Sequence, residues 1–197
     1  MNEQPAVTGS FKLILDTAET LIGEKGCRKT TLQDIIDRSG LSKGAIYHYV
    51  SGKDELFGLI LRSRMESMNA SFEKAVEAAG ERDAATPTRA LAEGLMNGAS
   101  KDSVSNKIFT YLLAQSDQPK VTAILNELYR HSVELAERWI AIGQQAGAIP
   151  AELDAGRLAA SFIVFSYGLR VQKVVANESD PTLKMEDIFG LLFKSLQ

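Results

Sequence analysis

Apolar residues recur at three- and four-residue steps along nearly the whole of the 197-residue chain. Phe11, Ile14, Leu15, Ala18, Leu21 and Ile22 share one face of a helix predicted over about 11–24, and Gly26 suits the left-handed residue that ends it. Residues 27–57 break into three short helical pieces. Thr30 with Gln33 three residues on reads as a capping box, so a helix is expected from Thr31 until Gly40 stops it. Ser42 caps a second short helix to about Tyr49, and Ser51-Gly52 breaks the chain again. A long helix follows over about 53–79, with Leu56, Ile60, Met65, Met68, Phe72 and Val76 on its buried side. Gly80 and Pro87 bracket a loop before helices at about 88–100 and 103–115.

Pro119 suits the first position of the next helix. There Val121, Leu125, Leu128, Ser132, Leu135, Trp139 and Ile142 form a heptad-like stripe with one polar member. Gly147 and Pro150 end it. Asp154 opens an almost wholly apolar helix to about Ala176, and Pro181 precedes a last helix at about 183–196, striped by Ile188, Leu192 and Leu196. No repeat, low-complexity tract or strand-like alternation interrupts this pattern. The expected fold is all-α, about nine helices, with a helix-turn-helix domain in residues 1–52 and a helical bundle in residues 53–197.

Composition narrows the classes. Hydrophobic residues at 45% and charged residues at 24% exclude disorder for the bulk of the chain. The single cysteine, Cys27, excludes an intrachain disulfide and a cysteine-based zinc site. The first ten residues lack the apolar core of a signal peptide, and the uncharged run from Leu158 to Leu169 is shorter than the ~20 residues of a membrane span, so a cytoplasmic location is expected. The net charge of -3 argues against a general nucleic-acid coat but averages over the chain. Residues 1–64 hold nine Lys/Arg against eight Asp/Glu, and the remainder thirteen against seventeen. The N-terminal cations gather at Lys25, Arg28, Lys29, Lys43 and Lys53.

Two short helices joined by a tight glycine turn form a helix-turn-helix. A major groove ~12 Å wide admits one α-helix, so a reading helix is short and presented at a corner. The segment SKGAIYHY has small residues Gly44 and Ala45 early, and Lys43, Tyr47 and His48 as phosphate donors. By spacing alone, an ordinary helical corner inside a bundle is as good a reading.

The stretch TTLQDIIDRSGLSKGAIYHYVSGKDELF, residues 30–57, resembles the N-terminal signature of the TetR family of bacterial transcriptional regulators. The resemblance lies in the serine and lysine before the reading helix, the tyrosine near its end and the lysine opening the next helix. Beyond it the chain is similar to the family only in helix count, length and order. Ile36 and Ser39 stand where the family usually has alanines, Val50 replaces an aromatic, and Gly52 replaces a capping serine or asparagine. The Ile36 and Val50 changes look like compensating core volumes. The resemblance implies that Thr30 and Thr31 lie near the DNA backbone, that Ser42, Lys43 and Lys53 contact phosphate, that Gly44 and Ala45 face base edges, and that Tyr47 and His48 contact phosphate or flanking bases. It also implies dimerisation through the last two long helices as a four-helix bundle.

Other motifs have plainer explanations. Gly40-Leu41-Ser42-Lys43-Gly44 matches the G-x-S-x-G elbow of hydrolases, but that elbow needs a preceding strand. His48 and His131 have no acidic partner at metal-ligand spacing, so neither a metal nor another cofactor is expected. Asn69-Ala70-Ser71 and Asn177-Glu178-Ser179 match glycosylation sequons that a cytoplasmic chain never presents to that machinery. Arg28 and Lys29 beside Cys27 favour a thiolate; a half-buried inert thiol is the simpler reading.

Met96, Phe109, Leu113, Ser132, Trp139, Phe162, Ser166 and Arg170 fall where an internal ligand pocket is expected, although each also suits plain core, and Ser132 equally suits a bond back to the Leu128 carbonyl. Arg170 must pair with an acid, reach solvent or bind an anion. Leu158, Phe162, Ile163, Phe165, Tyr167 and Leu169 point nearly all round their helix, which asks for cover from a second subunit. The expected function is a homodimeric, non-enzymatic transcriptional repressor. It would be released from a pseudo-palindromic double-stranded operator by a small hydrophobic or aromatic effector, with the fourth helix as lever. The alternative is a helical small-molecule-binding or adaptor protein without DNA binding.

Overall fold

Glycines and side-chain caps set where the helices start and stop. A computed structural model describes residues 9–80, 83, 85–177, 180 and 187. Its helices are α1 (Gly9–Lys25), α2 (Leu32–Ser39), α3 (Lys43–Tyr47), α4 (Lys53–Ala78), α5 (Ala85–Ala99), α6 (Val104–Leu113), α7 (Pro119–Gln145) and α8 (Ala155–Val175). No strand occurs among the described residues, as the helical periodicity requires. The expected last helix at 183–196 falls almost entirely outside the described residues.

Gly26 and Gly40 close α1 and α2 at φ 80° and 70°, where a side chain is strained. Gly40 N–H donates to the Ile36 carbonyl. The cap of α2 sits one residue later than the sequence suggests. Thr31, not Thr30, is the N-cap: its hydroxyl accepts from Asp34 N–H at 3.1 Å, and the Asp34 carboxylate accepts from Thr31 N–H at 2.8 Å. Thr30 is fully buried, its hydroxyl donating to the Gly26 carbonyl, while Gln33 donates to Asp37. Ser42 caps α3 as expected, accepting from Ala45 N–H at 3.2 Å. Gly52 has no cap to offer α4, and Glu55 compensates by accepting from both the amide and the hydroxyl of Ser51 at 2.7 Å. Pro87 lies inside the first turn of α5 rather than in the preceding loop, a place where its missing N–H costs no helical bond.

The chain folds as two compact units. The first contains α1, α2, α3, α4 as far as Ser63, and Asp102–Asn126, which brings in α6 and the start of α7. Its core is built on Ile14, Ile22, Ile35, Ile46, Leu56 and Phe57, with Ile108 and Leu112 from α6. α1 packs against both α2 and α6. Gly58 lets α4 meet α7 closely, since a Cβ there would lie 2.6 Å from Ile124 Cγ2. Val50 is buried, whereas Ile36 is only half-buried, so the two do not both fill the core.

The second unit contains Arg64–Lys101 and the chain from Glu127 onward. Phe72, Leu91, Leu135, Trp139, Phe162 and Ile163 form its core, and α5 packs against α8. α8 is long and apolar enough, by length and composition, to cross a membrane, which corrects the shorter run read from its uncharged residues alone. Its Leu158, Ala159, Phe162, Ile163, Ser166 and Leu169 are nevertheless buried within the unit, as in a core helix.

Candidate nucleic-acid interface

α3 is five residues long, and packing divides its side chains sharply. Ile46 is fully buried and pins the helix to the first unit. Ser42, Lys43, Gly44, Tyr47 and His48 are exposed around it, and Ala45 is half-buried. Tyr47 is 46% exposed, a large aromatic left outside the core. Lys43 Nζ sits 5.5 Å from the Tyr47 ring centroid, close enough for a cation–π contact that holds both side chains on one edge. His48 stacks edge-on to Tyr49 at 5.1 Å, and Tyr49 in turn packs on Phe11 of α1.

Gly44 is the informative position. A Cβ built there meets only Ser42 Oγ, at 3.9 Å. Nothing within the chain requires glycine, yet a glycine inside a helix costs about 1 kcal/mol relative to alanine. What it leaves is open space beside the backbone on the exposed edge.

The second-helix threonines separate. Thr31 is exposed beside the α2 cap, but Thr30 is buried with its hydroxyl bonded, so its side chain is not presented at the surface. Lys53 is turned inward along the α1–α2 turn. Its ammonium donates to the carbonyls of Cys27, Arg28 and Thr30, each at 3.4 Å, and lies 5.2 Å from the Tyr111 ring centroid. Two other cations are neutralised: Lys25 pairs with Asp34 at 2.8 Å, and Arg38 forks onto Glu24 at 3.1 and 3.0 Å. The Lys25 ammonium, followed by the Thr31 bonds, holds the Asp34 carboxyl down at about 2. Burial pushes the Cys27 thiol up to about 11, against weaker opposing pulls that include Lys53 and Lys107. The neighbouring cations therefore do not make it a thiolate at neutral pH.

The expected pocket residues divide between the units. Phe109 is buried and Leu113 exposed in the first. Trp139 and Phe162 belong to the core of the second, with Met96 packed against it. Ser132 and Ser166 donate to the Leu128 and Phe162 carbonyls at 2.9 Å, so both hydroxyl protons are used within their own helices. Arg170 donates to the Gly98 carbonyl at 3.1 Å, and its charge is disfavoured by burial. Two partners here escaped the sequence reading. Asn69 accepts from the Trp139 indole at 2.8 Å, and Tyr167, hydrogen-bonded to Ser132, stacks edge-on to Tyr129. Neither carries a local signal, because each is defined by a residue a long way off in the chain.

Among the described residues, α2, the left-handed Gly40 turn and the short α3 with its exposed lysine have the form of a helix-turn-helix. The family model for bacterial regulatory proteins of the tetR family matches residues 14–60, the segment just described. The match covers the N-terminal segment of the chain, α1 through the start of α4. The chain is 27% identical over 148 residues to the HTH-type transcriptional repressor KstR2 of Rhodococcus jostii, covering 72% of this chain and 68% of the relative. It is 28% identical over 165 residues to the HTH-type transcriptional regulator TtgR of Pseudomonas putida, covering 79% and 76%. In fold it is similar to the fatty acid degradation regulator FadR of Bacillus halodurans, at a TM-score of 0.66 and 18% identity over 96% of this chain and 97% of that one.

Proposed function

We propose that the chain acts as a homodimeric cytoplasmic repressor, without enzymatic activity, that leaves a pseudo-palindromic operator when a small apolar or aromatic effector binds. DNA reading is assigned to residues 1–52, and effector binding and dimerisation to residues 53–197. The observation that carries this reading is the exposed edge of α3, where Gly44 leaves open space between Lys43 and Tyr47. Ser42 and Lys43 hold phosphate, Gly44 and Ala45 face base edges, and Tyr47 and His48 meet phosphate or flanking bases. Thr31 serves the backbone from the start of α2. Thr30 and Lys53 serve it indirectly, by fixing the α1–α2 turn that carries Thr31.

Two-fold symmetry would set two α3 helices ~34–36 Å apart, so each half-site falls in a successive major groove. Support for the dimer comes from α8, where Val164, Gly168, Val171 and Val175 follow one another at four, three and four residues and are all exposed. An effector would lodge beside Trp139, Phe162 and Met96, an apolar and aromatic neighbourhood. Selection of bound duplexes from a random pool tests the reading: enrichment of an inverted repeat with that half-site spacing supports it, and no enrichment over a Lys43→Ala/Gly44→Leu double variant overturns it.

A further inference from the structure

The first unit carries a second concentration of positive charge. A cleft of about 690 Å³ opens between the end of α1 and its following turn, the start of α4, and α6. Lys25, Arg28, Lys29, Lys53 and Lys107 line it, together with Tyr111, and no carboxylate lies on its wall. Lys25 is already paired with Asp34, and Lys53 with three backbone carbonyls. Among the described residues, no ion pair is made by the other three. Arg28 and Lys29 come from the turn, and Lys107 comes from α6, 78 residues beyond Lys29 in sequence. The Cys27 sulfur on this wall feels the positive charge of both Lys53 and Lys107, so cations from α4 and α6 converge on it.

Asp34 offsets Lys25, and Asp54 meets the wall at the Tyr111 hydroxyl, 3.1 Å away, but no ion pair among the described residues offsets Arg28, Lys29 or Lys107, whose mutual repulsion around one concave space is left. A bound polyanion relieves it. Lysine and arginine donors spaced around a cavity, with an aromatic ring in the wall, are the donor set of a phosphate-bearing molecule. Lys53 adds charge rather than a donor: its three N–H groups go to the three carbonyls beside the Tyr111 ring, so it acts on a bound anion through its field. The cleft is separate from the Trp139 neighbourhood, which lies wholly in the second unit.

We propose that this cleft binds phosphate, carried by a small phosphorylated molecule, and so gives the first unit an anion site of its own. The concave shape and the Tyr111 wall favour a free molecule over a duplex backbone, whose phosphates share the same chemistry. The proposal rests on the DNA-binding reading only for its consequence, because anion binding is measured without DNA.

Inorganic pyrophosphate is titrated calorimetrically into the full chain at low ionic strength, and operator affinity is measured in parallel. The wild type is expected to bind one pyrophosphate per chain. Lys107→Gln and Arg28→Gln, each checked for fold by circular dichroism, weaken it about tenfold or more, whereas Lys74→Gln, an exposed lysine of the second unit, does not. Retained operator affinity in Lys107→Gln then identifies the occupant as a free molecule. Absence of pyrophosphate binding, with operator affinity and its salt slope reduced in both cleft variants, moves the phosphate to the duplex backbone and overturns the small-molecule source. Pyrophosphate bound equally by all four proteins, or bound by none with operator affinity unchanged, overturns the site altogether.

Discussion

α3 and α8 both expose side chains that the fold itself does not use, and the chemistry they expose is opposite. α3 keeps one residue, Ile46, for the core and turns lysine, tyrosine, histidine and an unobstructed glycine outward. α8 fills the second unit with Leu158, Phe162 and Leu169 and still leaves Val164 at 63% and Val175 at 70% exposure. A polar, cationic edge on so short a helix is stable in water and waits for an anion. An apolar stripe on a 21-residue helix is stable in water only at a cost, which a second apolar surface removes. On the proposed reading, one helix serves a different molecule and the other a copy of the same chain.

That contrast is broken most severely at α8. Val164→Glu with Val171→Glu should turn a dimer into a species near the 21.5 kDa of one chain by light scattering. Each carboxylate in an apolar contact is expected to weaken the dimer about a thousandfold, and operator affinity should fall with it. Phe165→Glu gives a less clean result, because Phe165 packs against the second unit's own core and its loss also lowers monomer stability. If the double variant keeps the wild-type mass, the exposed stripe is not the dimer surface.

At α3 the decisive change is Gly44→Leu. The open space means the fold accepts the side chain, and helix propensity favours it by up to about 1 kcal/mol. Thermal stability should therefore hold or rise while operator affinity falls tenfold or more, because the added side chain fills the space left for bases. A loss of both would mean that the glycine serves the fold. Lys43→Ala is milder. It should weaken binding to all sequences alike and lower the salt slope by about one.

Much of this was readable in the chain. The glycines at 26 and 40, the Ser42 cap and Pro119 mark their helix ends with local chemistry, and local chemistry is what a sequence displays. The cap of α2 was not, because Thr30 and Thr31 are equivalent as caps until the turn places the Gly26 carbonyl beside one of them. Lys53 reads as a phosphate ligand by position, but its three carbonyl partners come from a turn more than twenty residues earlier. Lys107 looks like any polar residue of an amphipathic helix until α6 sets it on the cleft. The pocket list mixed the two units for the same reason: apolar spacing tells that a side chain is buried, not in which core.

Asn69→Ala tests a long-range polar contact in the Trp139 neighbourhood. It leaves the indole N–H of a residue only 6% exposed without its 2.8 Å acceptor, which should cost about 1–3 kcal/mol in denaturant unfolding and shift tryptophan emission. Operator affinity should change little. A large loss there would mean that the second unit's core already biases DNA binding before any effector arrives.

The smallest expected effect concerns acid. Asp34 has its carboxyl lowered from 3.8 to about 2, chiefly by the hydrogen bond from Lys25 and then by those from Thr31. The folded value is depressed, so the contribution to stability is fully present above about 3.8 and is lost as pH falls through about 2. The α2 cap, and with it the seating of α3, should therefore loosen only in that window, while the polar edge of α3 and the apolar stripe of α8 are unaffected at neutral pH. Carboxyl NMR titration should give Asp34 a midpoint near 2, and Lys25→Gln should move it upward toward 3.8. Because the carboxylate is solvent-accessible, salt should move the midpoint the same way, by screening the Lys25 charge. An Asp34 midpoint that stays low in Lys25→Gln would assign the cap's strength to Thr31 alone, and α2 would then hold its start without help from the end of α1.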